Sequence, residues 1–205
     1  MNEPFNAWVQ GVWYYGPLLG IGGAFLLLGL AVLLFFRDFP REITAAANEV
    51  TSPADGTVVA IEDLTESPHY DGPCRRVSIF MSVFNAHVNR APFEGTVRDV
   101  RYAPGAYKNA MRPDSSKINE SNAIWLDTPE GLMTVRQISG AVARRIVCPV
   151  APGDTLAKGE KFGMIRFGSR VELYLPPHAE ICVRLKQKVY AGTSVVARFH
   201  FGRTL

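Results

Sequence analysis

Apolar side chains run unbroken from position 16 to position 36 (GPLLGIGGAFLLLGLAVLLFF), and after Pro40 they break up into short alternating stretches. The first pattern is 21 residues without a charged or strongly polar side chain. As a helix it spans roughly 30 Å, the thickness of a bilayer's hydrocarbon core. It carries five glycines, which suits a re-entrant or surface-lying anchor as well as a straight span. Arg37 and Arg41 follow the run instead of preceding it, which argues against a cleaved signal peptide. By the positive-inside tendency they place the rest of the chain in the cytoplasm. Trp8, Trp13, Tyr14 and Tyr15 predict an interfacial aromatic belt at the other end.

The second pattern is a succession of strands. Period-two alternation predicts them at 57–61, 75–81, 96–102, 123–127, 132–138, 145–150, 162–165, 171–175, 180–185 and 194–199. Turn residues separate them at 53–56, 103–105, 152–154 and 191–192. No window after residue 45 sustains a helical period. The expected fold is mainly β, a sandwich or barrel of short strands behind an N-terminal hydrophobic membrane helix. VAPGDTLA (150–157) and VYAGTSVV (189–196) echo each other as strand, glycine turn, strand. Such units build lipoyl- and biotinyl-like hybrid barrels. Stretch 104–122 is the longest without a strand pattern. It is polar, and a loop of that length in a compact domain is functional or mobile. The expected organisation is an anchor over 1–36 and a β-rich domain over 37–205.

Composition changes this picture little. At 205 residues and 47% hydrophobic content the chain fits one globular domain plus an appendage, and not a disordered polymer. Glu3 is the only charge before Arg37, so 22 basic and 18 acidic side chains give residues 37–205 a net +4. That is too little to argue for nucleic acid. Three scattered cysteines without a CxxC pair exclude a disulfide scaffold, and the four histidines lack metal-ligand spacing, so no metal is expected.

Three short segments carry candidate chemistry. SPADG at 52–56 reads as a turn, with Asp55 either a turn former or an acid. FNAHVNRAP at 84–92 sets His87 beside a strand end, as a structural hydrogen-bonder or a base. FGSRVELYLP at 167–176 opens a strand with Gly168-Ser169. Together, an acid, an imidazole and a serine behind a glycine are the parts of an activated nucleophile. Gly168 lets the backbone fold tightly, and Ser169 Oγ then reaches the Gly168 carbonyl carbon through a five-membered ring. That N→O acyl shift turns the peptide into an ester. Elimination leaves dehydroalanine, then a pyruvoyl group at the new N-terminus.

VTSPADGTVVAI, FMSVFNAHVNRAPFEGTV, QISGAVARRIV and FGSRVELYLP together resemble the short form of the phosphatidylserine decarboxylases, a pyruvoyl-dependent, self-cleaving family. The resemblance runs from FFRDFPRE at position 35 to Arg198. It implies autocatalytic cleavage between Gly168 and Ser169 into a β chain, 1–168, and an α chain, 169–205, that stay together as a heterodimer. It implies a covalent pyruvoyl cofactor made from Ser169. The family's self-cleavage triad falls on Asp55, His87 and Ser169, with His87 accepting the Ser169 proton and Asp55 orienting the imidazole. The implied reaction is decarboxylation of membrane phosphatidylserine to phosphatidylethanolamine and CO2, at the cell membrane with the catalytic domain on the cytoplasmic face. Self-association is compatible with it.

One departure stands out. Longer members carry two histidines three residues apart, and the position three after His87 is Arg90. Either His87 serves both cleavage and decarboxylation, or another imidazole takes the second step, with His178 ahead of His69 and His200. For the substrate phosphate the candidate donors are Arg144, Arg145, Lys108 and Arg112, since guanidinium binds phosphate bidentately. The alternative is a non-catalytic membrane-anchored lipoyl-like adaptor, which leaves Asp55, His87 and Gly168-Ser169 unexplained. A serine hydrolase is disfavoured by the lack of Gly-x-Ser-x-Gly.

Overall fold

The computed structural model describes residues 3–112, 114–141, 145–166 and 168–200, with side chains from Tyr15 onward. The chain divides into two units, Met1–Arg37 and Asp38–Leu205. The first is a single helix, α1 (Glu3–Phe35), with Pro17 inside it. Its Pro17–Phe35 part is 19 residues, long and apolar enough to cross a membrane. The glycines do not interrupt it, and the helix begins well before the apolar run, because no strong breaker stands between Phe5 and Gly16. Of the expected aromatic belt, Tyr15 is exposed; the side chains of Trp8, Trp13 and Tyr14 lie outside the described residues.

The second unit is mainly β. Its principal sheet has eight antiparallel strands in the order β13-β2-β3-β11-β7-β6-β5-β9. In chain order these are β2 (Gly56–Leu64), β3 (Cys74–Met81), β5 (Gly95–Ala103), β6 (Ser121–Thr128), β7 (Gly131–Ile138), β9 (Thr155–Leu156), β11 (Ser169–Leu175) and β13 (Lys188–Val189). Register shifts between Val58 and Ala60 and between Val97 and Asp99 add local twist to the curled sheet. Two three-stranded sheets complete the unit: β1 (Glu49–Thr51) with β14 (Val195–Arg198) and β12 (Glu180–Ile181), and β4 (Val88–Arg90) with β10 (Lys161–Ile165) and β8 (Ile146–Val147).

One face of the curled sheet holds the core. Val77, Ile79 and Met81 of β3, Met133 and Val135 of β7, and Val171, Leu173 and Leu175 of β11 pack there with Phe93, Phe162 and Phe199. The alternation expected over 171–175 is only half visible, because every residue of β11 is buried. Its other face, Arg170, Glu172 and Tyr174, is covered as well: Ser116 Oγ donates to Glu172 Oε1 at 2.7 Å, and the His69 ring lies 5.8 Å from that of Tyr174. Part of the cover comes from stretch 104–122, an expected loop whose described residues include a four-residue helix, α2 (Ser115–Ile118). The expected strands 145–150 and 180–185 shrink to two residues each.

Candidate active site

Ser169 is the first residue of β11, the strand held between β3 and β7. It pairs with Met81, and the next residue pairs with both Phe80 and Ile138. The chain reaches this ladder through Gly168 at φ +60°, a left-handed conformation that favours glycine. Ser169 is fully buried, and its Oγ donates to Met81 Sδ at 3.4 Å. The Gly168 carbonyl lies against Gly140. A Cβ built on Gly140 would overlap the Gly168 oxygen and stand 2.9 Å from the Gly168 carbonyl carbon. The peptide preceding the buried serine is thus clasped from one side by a residue that must lack a side chain.

His87 approaches from the other chain segment. It is fully buried just before β4, and its Nε2 accepts the Gly168 N–H at 3.4 Å. Its own carbonyl accepts from Ile165 N at 3.3 Å, which ties the imidazole's backbone to β10, shortly before the Gly168 turn. The structure therefore brings His87, Gly168 and Ser169 together. Asp55 is held differently. Its Oδ2 accepts from Arg41 Nη2 at 2.8 Å and its Oδ1 from the Ala191 N–H at 2.7 Å. The turn that carries it is bonded to β4 by Arg90 N–H to the Pro53 carbonyl, 3.0 Å.

Residues 28–197 match the profile of the phosphatidylserine decarboxylases. The chain belongs to this family. It is 48% identical over 174 residues to the phosphatidylserine decarboxylase proenzyme of Nitrosomonas eutropha, covering 84% of this chain and 80% of that one. With the proenzyme of Carboxydothermus hydrogenoformans it shares 42% identity over 210 aligned positions, 97% of this chain and 99% of the relative. The Magnetococcus marinus proenzyme is 48% identical over 165 residues, 80% and 76% of the two chains.

In this member of the phosphatidylserine decarboxylase family, Arg90 is no substitute base. Three residues from His87 along an extended segment, it turns to the opposite side. Its Nη1 donates to the Gly159 carbonyl at 3.0 Å, and its Nη2 to Asp38 Oδ1 and the Phe39 carbonyl, both at 3.2 Å. Arg90 ties residues 38 and 39 to the Gly159 turn. Asn89 shares His87's side instead. It accepts from Gln137 Nε2 at 2.9 Å and donates to Met81 Sδ at 3.9 Å, so a polar chain runs from Ser169 through Met81 and Asn89 to Gln137.

The other histidines sit elsewhere. His178, first of the second-step candidates, lies exposed beyond Leu175, its ring 5.3 Å from Phe199. Leu175, the last residue of β11, is six strand steps from Ser169, roughly 20 Å. His200 pairs with Glu180 at 2.7 Å. His69 lines a cavity of about 460 Å3 on the outer face of the sheet, with Arg76, Arg136, Ser116, Lys117 and Tyr174. Burial, with Arg136 beside it, lowers its pKa from 6.5 to about 4. Below it Glu172 is fully buried between Arg136 Nη1 at 3.4 Å and the Tyr174 hydroxyl at 2.7 Å.

Of the expected phosphate donors, Arg145, Lys108 and Arg112 are exposed, and Arg144 lies outside the described residues. Lys108 and Arg112 belong to a loop pinned beside the site: Asn119 Nδ2 donates to the Lys108 carbonyl at 2.7 Å and to the Ser139 carbonyl at 2.8 Å, one residue before Gly140. Sequence reasoning missed Gly140, Met81, Asn89, Gln137 and Asn119. The only local signal was the glycine that ends QISG at 137–140, since the others act through partners far away in sequence.

Proposed function

We propose that the chain is a self-cleaving proenzyme that decarboxylates phosphatidylserine to phosphatidylethanolamine and CO2. The observation that carries this reading is the Gly168–Ser169 peptide itself, with the His87 imidazole on its Gly168 amide and Gly140 under its carbonyl. In maturation His87 Nε2 takes the Ser169 hydroxyl proton, and Oγ attacks the Gly168 carbonyl carbon. The C–N bond breaks, the Ser169 nitrogen gains a proton, and an ester links the two segments. Loss of the Ser169 α-proton expels the Gly168 carboxylate and leaves dehydroalanine, whose hydrolysis releases ammonia. The products are a β chain, 1–168, and a 37-residue α chain, 169–205, that begins with pyruvoyl.

What supports a pyruvoyl group here is that its parent serine is fully buried at the head of a central strand, with the imidazole at the preceding peptide. Such a carbonyl supplies an electron sink for the carbanion left by CO2. His87 is the group placed to return a proton to the substrate's α-carbon. Asp55, held by Arg41 and the Ala191 N–H, is the acid proposed to orient the imidazole, and its turn is tied to the His87 segment by the Arg90 N–H on the Pro53 carbonyl. Lys108, Arg112 and Arg145 receive the phosphodiester.

The remaining assignments follow the same reading. The strand, glycine turn, strand units around Gly153 and Gly192 support a lipoyl-like hybrid barrel. The apolar helix supports membrane anchoring, and Arg37 and Arg41 after it support a cytoplasmic catalytic domain. Intact mass under denaturing conditions tests the scheme: purified protein should give two chains, the smaller roughly 4 kDa at about 110 Da per residue and lacking a free N-terminal amine. A single uncut chain with full activity would overturn it.

A further inference from the structure

We propose that two rigid apolar turns at the Gly168 peptide dock the catalytic domain directly onto the bilayer, as a surface separate from α1. The proposal rests on the function above.

The first turn is 82–85. Asn85 N–H donates to the Ser82 carbonyl at 3.0 Å, while Ser82 N–H and Oγ both donate to Asn85 Oδ1 at 2.8 and 2.7 Å. This bracing leaves Phe84 83% exposed and Val83 43% exposed. The second turn is 109–112. Arg112 N–H donates to the Asn109 carbonyl at 3.1 Å and Met111 N–H to Asn109 Oδ1 at 3.0 Å, leaving Met111 59% exposed. Both turns reach the scissile segment. Val83 is the side chain nearest Gly168, 3.9 Å from a Cβ built there, and Ala110 is 3.5 Å from one built on Gly140.

Single exposed apolar side chains are ordinary on a protein surface. These differ in being held out by asparagine-braced turns, both at the site where a diacyl lipid must present its head group. Lys108 and Arg112 flank Met111, exposed, and Arg112 is only partly offset by Asp114 at 3.2 Å. Apolar tips beside cations fit the boundary between acyl chains and anionic phosphates, where each tip enters hydrocarbon and each cation meets a head group. A protein partner would leave that charge pattern without a purpose. On this arrangement the serine head group reaches Ser169 while its chains remain in the leaflet.

The test uses the full-length matured enzyme with α1 intact. Phe84→Trp is mixed with phosphatidylcholine vesicles containing phosphatidylserine, with and without bromine in the acyl chains. The signal is the increment over the wild type, which already holds Trp8, Trp13 and Trp125. The increment should be quenched by brominated lipid; an unquenched increment overturns docking by this turn. In parallel, Phe84→Ser with Met111→Ser should raise the apparent KM for vesicle phosphatidylserine at least about tenfold, which the loss of a single buried apolar tip would already give. Turnover of dispersed short-chain phosphatidylserine should not change. An unchanged vesicle KM, equal slowing on both substrates, or a dimer in the wild type that the substitutions dissolve, would each overturn the proposal. Should the wild type decarboxylate neither substrate, the functional reading fails, and the quenching result still decides the docking.

Discussion

The Gly168 N–H points at Nε2 of His87, 3.4 Å away, while one residue on the Ser169 hydroxyl bonds to Met81. The proposed base and nucleophile are thus neighbours, each resting on another partner. On the proposed mechanism, cleavage would begin when Ser169 leaves Met81 and turns toward the imidazole. The weakness of a thioether as acceptor keeps that departure cheap. The strength of the arrangement lies instead in the backbone, which β3 and β7 hold on both sides of Ser169.

Met81→Leu therefore should not slow maturation. The swap conserves volume, so the core should lose less than about 1.5 kcal/mol. Freshly translated protein, followed by gel mobility, should be cut at the wild-type rate or faster. A marked slowing would mean that the sulfur takes part in orienting the attack.

Gly140→Ala tests the seat of the scissile carbonyl. The new methyl would stand 2.9 Å from the Gly168 carbonyl carbon, closer than real contacts allow. The expected penalty is ~1–3 kcal/mol of stability and cleavage slowed at least about tenfold. Thermal unfolding of the variant, compared with uncut Ser169→Ala, separates the two effects. Normal cleavage would show that the carbonyl does not rest on Gly140.

Much of this site can be read along the chain, and the unread part has a common cause. Ser169, His87 and Asp55 stand in motifs whose residues are adjacent in sequence. The long strands could be read because each contains an apolar stretch of five to seven residues bounded by turn residues. Strand β4 could not: its three residues are ordered by pairing with β10, some seventy positions later. Arg90 looked like a departure from the family pattern because only the fold reveals its bonds to Gly159 and Asp38. The helix Ser115–Ile118 in the expected loop 104–122 was not legible because Ser116 and Asn119 are held by Glu172 and Ser139, far away in sequence.

The charge cluster on the outer face makes another prediction. Glu172 is buried against Arg136, with Arg76 3.8 Å away. Removing one partner of such a group leaves an uncompensated charge, at ~3–5 kcal/mol. Glu172→Gln should destabilise by that order in urea melts. Glu172→Leu combined with Arg136→Met should recover most of the loss, since apolar replacement of both partners removes the unpaired charge. Additive losses in the double variant would argue that the two groups are not coupled.

His69 gives the fold an acid limb. Its pKa is lowered from 6.5 to about 4 by burial, so the folded state holds it neutral while the unfolded chain takes up a proton between those values. The stabilisation is present above pH 6.5 and is lost as pH falls toward 4. Partial exposure screens the effect, which leaves about 1–2 kcal/mol. His69→Gln should flatten stability between pH 7 and 5 relative to the parent, measured by urea unfolding of uncut Ser169→Ala. An identical slope in both would remove His69 as the cause.

His87 should act twice, and the two steps can be separated in time. The other three imidazoles lie on the outer face, beyond Leu175 and against Glu180, while the Arg90 guanidinium is bonded to Gly159 and Asp38. His87 is the imidazole that the structure shows at the Gly168 amide, and the proposed mechanism gives it both steps. His87→Ala should therefore accumulate uncut chain. For the second step, the variant His69→Gln, His178→Ala, His200→Asn leaves His87 as the sole imidazole, and it should mature and turn over. Carbethoxylation of this matured variant should abolish CO2 release, and a non-reactive serine-lipid analogue should protect against it. Loss of turnover in His178→Ala alone, with normal cleavage, would hand the second step to His178 despite its distance. Full turnover after peptide mass mapping has shown His87 modified would confine that residue to maturation.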